Sequence, residues 1–225
     1  MTVPSTHPGS VTRQPVLHGP TYSTYTRTAR LAFHEKGVEY RLEDVDIFGG
    51  AAAKEPFLTL NPFAKVPVLV HGDAVIYETA AITRYIDEAF SGPSLQPSDP
   101  LHRARMGQIM GLIDAYAYRT LVGDIVMQRV VLPVLGRRTN AQIVRKAVPA
   151  MRQSLRVLED LAAVDGRFLC GDTLSLADLH LAPIFHYFAE TPEGRRILPT
   201  LPKLARWWPV LRERDSMRQT VPQLT

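Results

Sequence analysis

The feature that most constrains the fold is a change in hydrophobic period near residue 100. Before it, short runs of strand-forming residues alternate with helical patterns. After it, apolar residues recur every three or four positions and strand signals nearly vanish. The two patterns are separated by SGPSLQPSDP, a polar stretch with three prolines at residues 91–100. We therefore predict two domains, at 15–90 and 101–225, joined by this linker and preceded by a disordered extension over 1–14.

The first domain has the element order of a small mixed sheet with helices on its faces, an α/β arrangement. A helix at 24–36 is predicted to end at Gly37, which suits the left-handed position after a helix. VPVLV, HGD and AVIY predict a strand, a tight turn and a strand, hence a hairpin. Strands and helices are predicted, in order, at residues 15–19, 24–36, 38–47, 49–60, 66–77 and 78–90.

The second domain is predicted to be an all-helical bundle. Apolar residues follow a helical spacing at 101–132 and again at 142–164, and at least one more helix is expected in the tail. Between them, the sequence SLADLHLAPIFHYF begins with Ser175 and has Asp178 three residues later, the pattern of a capping box. We expect these two residues to be structural. The helix they begin is apolar on nearly every side and should form the buried centre of the bundle.

Composition excludes several classes of protein. The 225 residues are 45% apolar, enough for a substantial core. The sequence contains no run of about 18 apolar residues, so no membrane-spanning helix is predicted. The N-terminus lacks the apolar centre of a secretory signal, so a cytoplasmic protein is expected. The net charge of +4 is spread out, which argues against a nucleic-acid surface. The single Cys170 excludes an intrachain disulfide and is expected to be buried. The histidine spacing predicts no metal site.

One stretch carries a family resemblance: NPFAKVPVLVHGDAVIYETAAITRYIDEAF, at residues 61–90. Asn-Pro-Phe, Lys-Val-Pro, a hairpin, and an acid-hydroxyl pair that opens a helix occur in the order found in the thioredoxin-like half of cytosolic glutathione transferases. The helical second domain and its SLADLHLAP segment are similar to the same family. The resemblance covers about residues 15–215, and the opening segment is most similar to the serine-type phi class and related bacterial enzymes. It implies a thioredoxin-like domain followed by an all-α domain.

The resemblance also implies a glutathione site. A cis peptide bond between Val66 and Pro67 would hold a strand edge open, where the cysteinyl unit of glutathione can pair with the backbone. Glu78 would take the ammonium of the γ-glutamyl end. Thr79, at the N-terminus of a helix, would take its α-carboxylate. Lys65 stands where the phi class often has glutamine and could supply charge to a carboxylate.

The sequence departs from the phi class in the loop before this stretch. That class usually has a His-Lys pair there, at places that hold Ala52 and Ala53 in this chain; the only cation beside them is Lys54. Three readings stay open: Lys54 substitutes, glutathione binds more weakly, or the substrate is a different thiol.

A run of six hydroxyl-bearing residues at 21–26 should contain the group that activates the thiol. The pKa of a free thiol is about 8.5, so a hydroxyl donor near a helix N-terminus can favour the thiolate at neutral pH. Ser23 stands at the predicted N-cap, and its spacing to Gly37 matches the serine-type pattern. Tyr22 is the rival, and Ser23 as a helix cap alone remains an alternative. Tyr25 shares the buried helix face and is expected to pack.

The second substrate is expected in a pocket between the domains. Candidate lining residues on the first bundle helix are Met110, Ile113, Tyr116 and Tyr118, although residues at this helical spacing more often belong to the core. The resemblance implies a homodimeric enzyme that uses glutathione as co-substrate to attack small apolar electrophiles, with no metal. Alternatives are peroxidase, dehalogenase or isomerase chemistry on the same thiolate, a ligand-binding protein with little turnover, or an interaction module.

Overall fold

The structure is a computed structural model that describes residues 14–50 and 54–222. Its sheet has four short strands: β1 (Val16–His18), β2 (Arg41–Glu43), β3 (Val68–His71) and β4 (Ala74–Tyr77). They lie in the order β2-β1-β3-β4; β1 and β2 are parallel, and the other two neighbouring pairs are antiparallel. The predicted small mixed sheet is therefore confirmed. The predicted extension at 1–14 falls, apart from its last residue, outside the described residues.

Three helices belong to the first domain: α1 (Thr24–Lys36), α2 (Phe57–Leu60) and α3 (Thr79–Ala89). The bounds of α1 are those that the sequence predicts. Ser23 is its N-cap, and Gly37 follows its last residue with a left-handed φ of 67°. A second glycine, Gly19, lies between β1 and α1 with a φ of 149°, and a Cβ there would come within 2.3 Å of the Thr26 hydroxyl. Only glycine therefore lets the chain pass this close to the first turn of α1.

The strand predicted at 38–47 is much shorter, since β2 contains only three residues. At the start of the predicted strand, the Val38 N–H donates to the Phe33 carbonyl (3.0 Å), so this residue forms part of the C-terminal end of α1 instead of the sheet. After the strand, the Asp46 side chain accepts two backbone N–H groups and turns the chain. The partner strand β1 also has only three residues. Residues 38–47 thus have the composition of a longer strand, but the neighbouring strand β1 offers only three residues to pair with.

The second domain is helical, which confirms the predicted bundle. Its α-helices are α4 (Pro100–Leu112), α5 (Leu132–Val134), α6 (Ala141–Leu161), α7 (Leu176–Phe188), α8 (Pro192–Ile197), α9 (Pro202–Arg212) and α10 (Asp215–Gln219), with a 3₁₀ turn at Leu198–Thr200. Helix α4 begins at Pro100, the last residue of the predicted linker, and Asp99 caps it by accepting the His102 N–H (2.9 Å).

The long helix predicted at 101–132 is not uniformly α-helical. After α4 the chain continues in wider π-helical turns at Ile113–Ala117 and Arg119–Val131. In these turns an N–H bonds the carbonyl five residues back; the Tyr118 N–H, for example, donates to the Ile113 carbonyl. Apolar spacings of three and four residues do not distinguish these turns from an α-helix. The wider turns lie beside the cavity described below.

Helix α7 is buried on nearly every side, as expected. The N–H and the hydroxyl of Ser175 both donate to the Asp178 carboxylate (2.8 and 2.7 Å). The same carboxylate accepts the Leu169 N–H and the indole N–H of Trp207, both at 2.8 Å. Asp178 is thus fully buried but satisfied by four donors, and it ties α7 to α9 and to the loop before α7.

One apolar core runs through both domains. Leu17 of β1, Phe33 of α1 and Ile86 of α3 belong to the same buried cluster as Leu155 of α6 and Phe185 of α7. Helix α1 packs against both α3 and α7. In the part of the chain that the structure describes, none of the helices combines the length and apolar character needed to cross a membrane.

Candidate active site

A cavity of about 580 Å³ opens between the two domains. This volume lies in the range of small-molecule sites, roughly 300–1,000 Å³. Its walls come from the start of α1, the chain at 47–50, the loop at 61–67, the start of α3 and the first π-helical turn after α4. The cavity brings together seven of the residues assigned to the site from the sequence: Ser23, Lys65, Val66, Pro67, Glu78, Thr79 and Tyr118.

Ser23 lines the cavity as the N-cap of α1. Its hydroxyl oxygen accepts the Thr26 N–H at a long 3.3 Å. Among the described residues this hydroxyl donates to no acceptor, so its proton is free to point into the cavity. The helix behind it has 13 residues, and the positive end of its dipole favours an anion at this place. A thiolate in front of Ser23 would meet both effects.

Tyr22, the rival hydroxyl, does not line the cavity. Its ring stacks on Phe48 at a centroid distance of 5.3 Å, and its carbonyl accepts the Tyr187 hydroxyl (3.0 Å). Burial, followed by the charges of two nearby aspartates, raises the pKa of the Tyr22 phenol. This placement gives Tyr22 a packing role beside the site and favours Ser23 as the group that meets a bound thiol.

The loop before β3 presents a free backbone edge. The Val66–Pro67 peptide bond is cis. Neither the N–H nor the carbonyl of Val66 bonds to another described residue. Asn61, buried and also part of the cavity wall, shapes this loop: its amide donates to the Lys65 carbonyl (2.8 Å). The edge is therefore held in place and open to an extended ligand.

The acid-hydroxyl pair lies at the N-terminus of α3. Glu78 is the N-cap and has a positive φ of 71°, which is rare for a residue with a side chain. Thr79 follows as the first helical residue and is buried. Residues held in such backbone conformations cluster at functional sites. The pair is placed to present an acceptor and a helix N-terminus to the same ligand group.

Of the two lysines proposed for the site, one lies at the cavity and the other does not. Lys65 lines the cavity and is exposed. Lys54 is exposed but does not belong to the cavity wall. Ala52 and Ala53, where the phi class usually has its His-Lys pair, lie outside the described residues. The geometry thus places Lys65, and not Lys54, beside the ligand space.

The opposite wall contains a network that the sequence analysis did not predict. The Tyr25 hydroxyl donates to Oδ1 of Asp114 (2.6 Å), and Nε2 of His180 bonds the same oxygen (2.7 Å). The Tyr25 ring stacks on Tyr118 at 4.4 Å. Tyr25, Asp114 and Tyr118 all line the cavity. Tyr25 was expected to pack, and its ring does, but the helix phase gave no information about its hydroxyl, which hydrogen-bonds Asp114 at the cavity wall.

The electrostatics of this wall follow from burial and hydrogen bonding. Burial opposes ionisation of Asp114, but the hydrogen bond and attraction of His180 and the hydrogen bond of Tyr25 outweigh it, so the pKa of the carboxyl is lowered. Burial and the Asp114 charge raise the pKa of Tyr25, and burial raises that of Tyr118. At neutral pH this wall presents one carboxylate and two protonated phenols.

Three of the four residues predicted for the electrophile pocket do not line the cavity. Met110 and Ile113 are buried in the core, at 5% and 0% exposure, and Tyr116 is 68% exposed. Tyr118 alone faces the ligand space. The apolar spacing identified the core face of this segment, whereas the cavity is lined by Asp114, in the π-helical turn, and by Tyr118, directly after it.

Arg27, on α1 four residues after Ser23, does not line the cavity, and its side chain is buried. It is 1% exposed and donates to the Met217 carbonyl (2.9 Å) and the Thr220 hydroxyl (3.2 Å). Burial lowers the pKa of its guanidinium to about 10. It therefore anchors the C-terminal segment to α1.

Cys170 is buried, and burial raises the pKa of its thiol to about 11, which suits a packing role. Within residues 14–50 and 54–222, no group of three or more His, Cys, Asp or Glu side chains is arranged to hold a metal ion.

Comparison with known proteins agrees with this arrangement. The family model for the N-terminal domain of glutathione S-transferases matches residues 22–89, and that for their C-terminal domain matches residues 122–215. The chain is 30% identical to glutathione S-transferase F13 of Arabidopsis thaliana over 93% of this chain and 95% of that protein. Glutathione S-transferase F14 of the same plant is 33% identical over 86% of this chain and 77% of that protein.

Solved structures with a similar fold belong to the same family. Glutathione transferase F7 from Populus trichocarpa superposes with a TM-score of 0.81 at 29% identity, covering 92% of this chain and 97% of that one. A mixed four-stranded sheet followed by a helical domain is the two-domain architecture that this chain shares with these relatives. The chain belongs to the glutathione S-transferase family, and its similarity to plant phi-class members is confirmed.

Proposed function

We propose that this protein is a glutathione transferase that stabilises the glutathione thiolate with the Ser23 hydroxyl for attack on small electrophiles. The observation that carries the proposal is the Ser23 hydroxyl, which donates to no acceptor among the described residues, at the N-terminus of α1 and on the same cavity as the Val66 backbone edge. A donor and a helix dipole aimed at one place lower the pKa of a thiol bound there.

The remaining contacts follow from the ends of glutathione. The cysteinyl unit pairs with the Val66 backbone, which has no other partner among the described residues. Glu78 takes the γ-glutamyl ammonium, and Thr79, with the N–H groups at the start of α3, takes the adjacent carboxylate. Lys65, which the sequence offered as a charge for a carboxylate, lies at the cavity wall and can meet the remaining one, for which Lys54 was the candidate named from the sequence. A relative at 25% identity and a TM-score of 0.80, glutathione S-transferase-I, is described with bound lactoylglutathione, which supports a glutathione derivative as ligand.

Ser23 acts as a donor and not as a base in this mechanism. Each unit by which the thiol pKa is lowered corresponds to about 1.4 kcal/mol of preference for the anion. The thiol proton leaves to solvent. The hydroxyl proton of Ser23 stays on the serine oxygen while the hydroxyl donates a hydrogen bond to the sulfur. With a chloro-nitroaromatic substrate, a carbon–sulfur bond then forms and the carbon–chlorine bond breaks, with chloride taking the bonding pair.

The experiment that tests the proposal has two parts. Retention on immobilised glutathione measures binding, and conjugation of a chloro-nitroaromatic compound measures turnover. We expect both, with a bound-thiol pKa, followed by ultraviolet thiolate absorbance, below that of free glutathione. Binding without turnover would instead support the ligand-carrying alternative, and absence of both would refute the proposal.

The proposal extends to assembly and location. We propose a symmetric homodimer; large apolar side chains that stay exposed in the single chain include Phe63 (66%) and Leu101 (71%). Light scattering that finds a monomer would contradict it. The cytoplasmic location expected from the sequence stays a prediction, which cell fractionation tests.

A further inference from the structure

The Asp114 carboxylate is held from one side only. Both of its hydrogen bonds, from the Tyr25 hydroxyl and from Nε2 of His180, fall on Oδ1. The second oxygen, Oδ2, accepts no hydrogen bond from any described residue. The Asp114 side chain is 42% exposed and lines the cavity. One oxygen is therefore fixed by the protein while the other is left to whatever occupies the cavity.

The partners of Asp114 fix its orientation. His180 is completely buried, and its other ring nitrogen, Nδ1, has no partner in the described part of the chain. A proton on Nε2 therefore fits this site, and Nε2 donates to Asp114. Tyr25 is held in turn by stacking on Tyr118 (4.4 Å) and by a tilted contact with the His180 ring (5.5 Å). Side chains from α1, α7 and the first π-helical turn thus converge on one carboxylate oxygen.

The proposed glutathione contacts leave the negative charge of Asp114 without a partner in glutathione. Among the described residues that line the cavity, three carry formal charge: Lys65, Glu78 and Asp114. Glu78 is assigned to the only ammonium of glutathione and Lys65 to one of its carboxylates. Asp114 stands on the opposite wall, between two tyrosines, where the second substrate would lie. His180 and Tyr25 support the ionised carboxylate through Oδ1, and Oδ2 faces the cavity as an acceptor for a positively charged group of a ligand.

We propose that Asp114 selects electrophiles that carry a positively charged group, which binds at Oδ2 while the glutathione sulfur attacks the reactive carbon. This inference rests on the proposed function, and it replaces the purely apolar electrophile expected from the sequence with an aromatic or apolar body that bears a cation. The rings of Tyr25 and Tyr118 contact the aromatic or apolar part of the electrophile, and the Asp114 carboxylate pairs with its positive charge. Asp114 does not take part in bond making.

Three chloro-nitrobenzenes that differ only in the group para to chlorine test this inference: an amidinium, a neutral carboxamide and a carboxylate. In each, sulfur bonds the ring carbon and chloride leaves with the electron pair. The catalysed kcat/KM is divided by the uncatalysed rate constant with glutathione, which removes differences in intrinsic reactivity. For a half-exposed ion pair we expect the amidinium to exceed the carboxamide about fivefold, and the carboxylate to fall below both. Added salt should reduce this preference.

Variants assign the preference to Asp114. Asp114→Asn should bring the amidinium-to-carboxamide ratio close to one, whereas Asp114→Glu, which keeps the charge, should retain part of it. Asp124→Asn is the matched control: this half-buried acid lies in the adjoining π-helical segment, outside the cavity wall. It should leave the ratio at the wild-type value. An unchanged ratio in Asp114→Asn overturns the inference. So does an equal rise in the KM of glutathione with all three substrates, since Asp114 would then bind the glutathione ammonium.

Unreactive ligands separate this inference from the proposed function. Benzamidinium, benzamide and benzoate are titrated against the wild-type protein in the presence of S-methylglutathione, with affinity read by calorimetry. Benzamidinium should bind about fivefold more tightly than benzamide. This measurement needs neither turnover nor a folded variant. Equal affinities refute the role of Asp114 even in an active enzyme, and a clear preference supports it even if no chloro-nitrobenzene is turned over.

Discussion

The two walls of the cavity are built in different ways. The wall assigned to glutathione uses short-range features: a helix cap at Ser23, a cis peptide at Val66–Pro67 and a helix start at Glu78 and Thr79. The opposite wall uses side chains that are distant in sequence, since Asp114 is 89 residues from Tyr25 and 66 from His180. The first wall is a matter of backbone geometry and the second of side-chain chemistry. Changes on the two walls should therefore affect different kinetic constants.

The largest effect is expected at Ser23. Ser23→Ala removes the hydroxyl donor and should lower kcat at neutral pH about 100-fold, as the loss of one donor to a developing or bound anion does. The pKa of bound glutathione should rise toward that of the free thiol, measured by the pH dependence of thiolate absorbance. Ser23→Thr keeps a hydroxyl and serves as the control. Full activity in Ser23→Ala would leave Ser23 as a helix cap only.

Glu78 should give the next largest effect, confined to glutathione. Glu78→Gln removes the charge that pairs with the ammonium and should raise the KM of glutathione about tenfold, with little change in kcat at saturation. Steady-state kinetics with each substrate varied in turn measure it. The control is Glu88→Gln, an exposed acid on the same helix outside the cavity wall. If the KM of the electrophile changes instead, the division between the two walls is wrong.

A smaller effect concerns pH and stability at Asp114. The pKa of this carboxyl is lowered in the folded protein below its ordinary value of 3.8. Its hydrogen bonds therefore stabilise the fold fully above that value, and their contribution is lost as the pH falls through the lowered pKa. Allowing for solvent exposure, wild type should exceed Asp114→Asn by about 1 kcal/mol at pH 7. Denaturant unfolding at several pH values checks that this stability difference narrows only in acid. A stability difference that already narrows near neutral pH would contradict its assignment to the Asp114 carboxyl.

The smallest effect should be at Tyr22. Tyr22→Phe keeps the ring that stacks on Phe48 and removes a hydroxyl outside the cavity, so kcat/KM should stay within about twofold of wild type. A large loss in this variant, together with an active Ser23→Ala enzyme, would transfer the thiolate role to Tyr22.

What the sequence could predict follows the same division. The bounds of α1, the hairpin and the start of α3 depend on caps, turns and periodicity within a few residues, and these were predicted closely. The wall with Asp114 depends on pairings between residues far apart. A lone acid in GLIDAYAY, within an otherwise apolar helical stretch, was the only local signal for it. The π-helical turns gave no signal, because their apolar spacing resembles that of an α-helix. Met110 and Ile113 were therefore assigned to the pocket although they lie in the core.

The continuous apolar core has a consequence for how the chain behaves as a unit. Leu17 and Phe33 of the sheet domain are buried in the same cluster as residues of the central helix α7. The boundary near residue 100 separates two patterns of secondary structure, but because the core is shared we do not expect it to separate two cooperative folding units. Residues 15–90 produced alone would expose the face of α1 that normally packs on α7. We therefore expect one unfolding transition for the whole chain, and an isolated sheet domain that aggregates instead of remaining a monomeric scaffold.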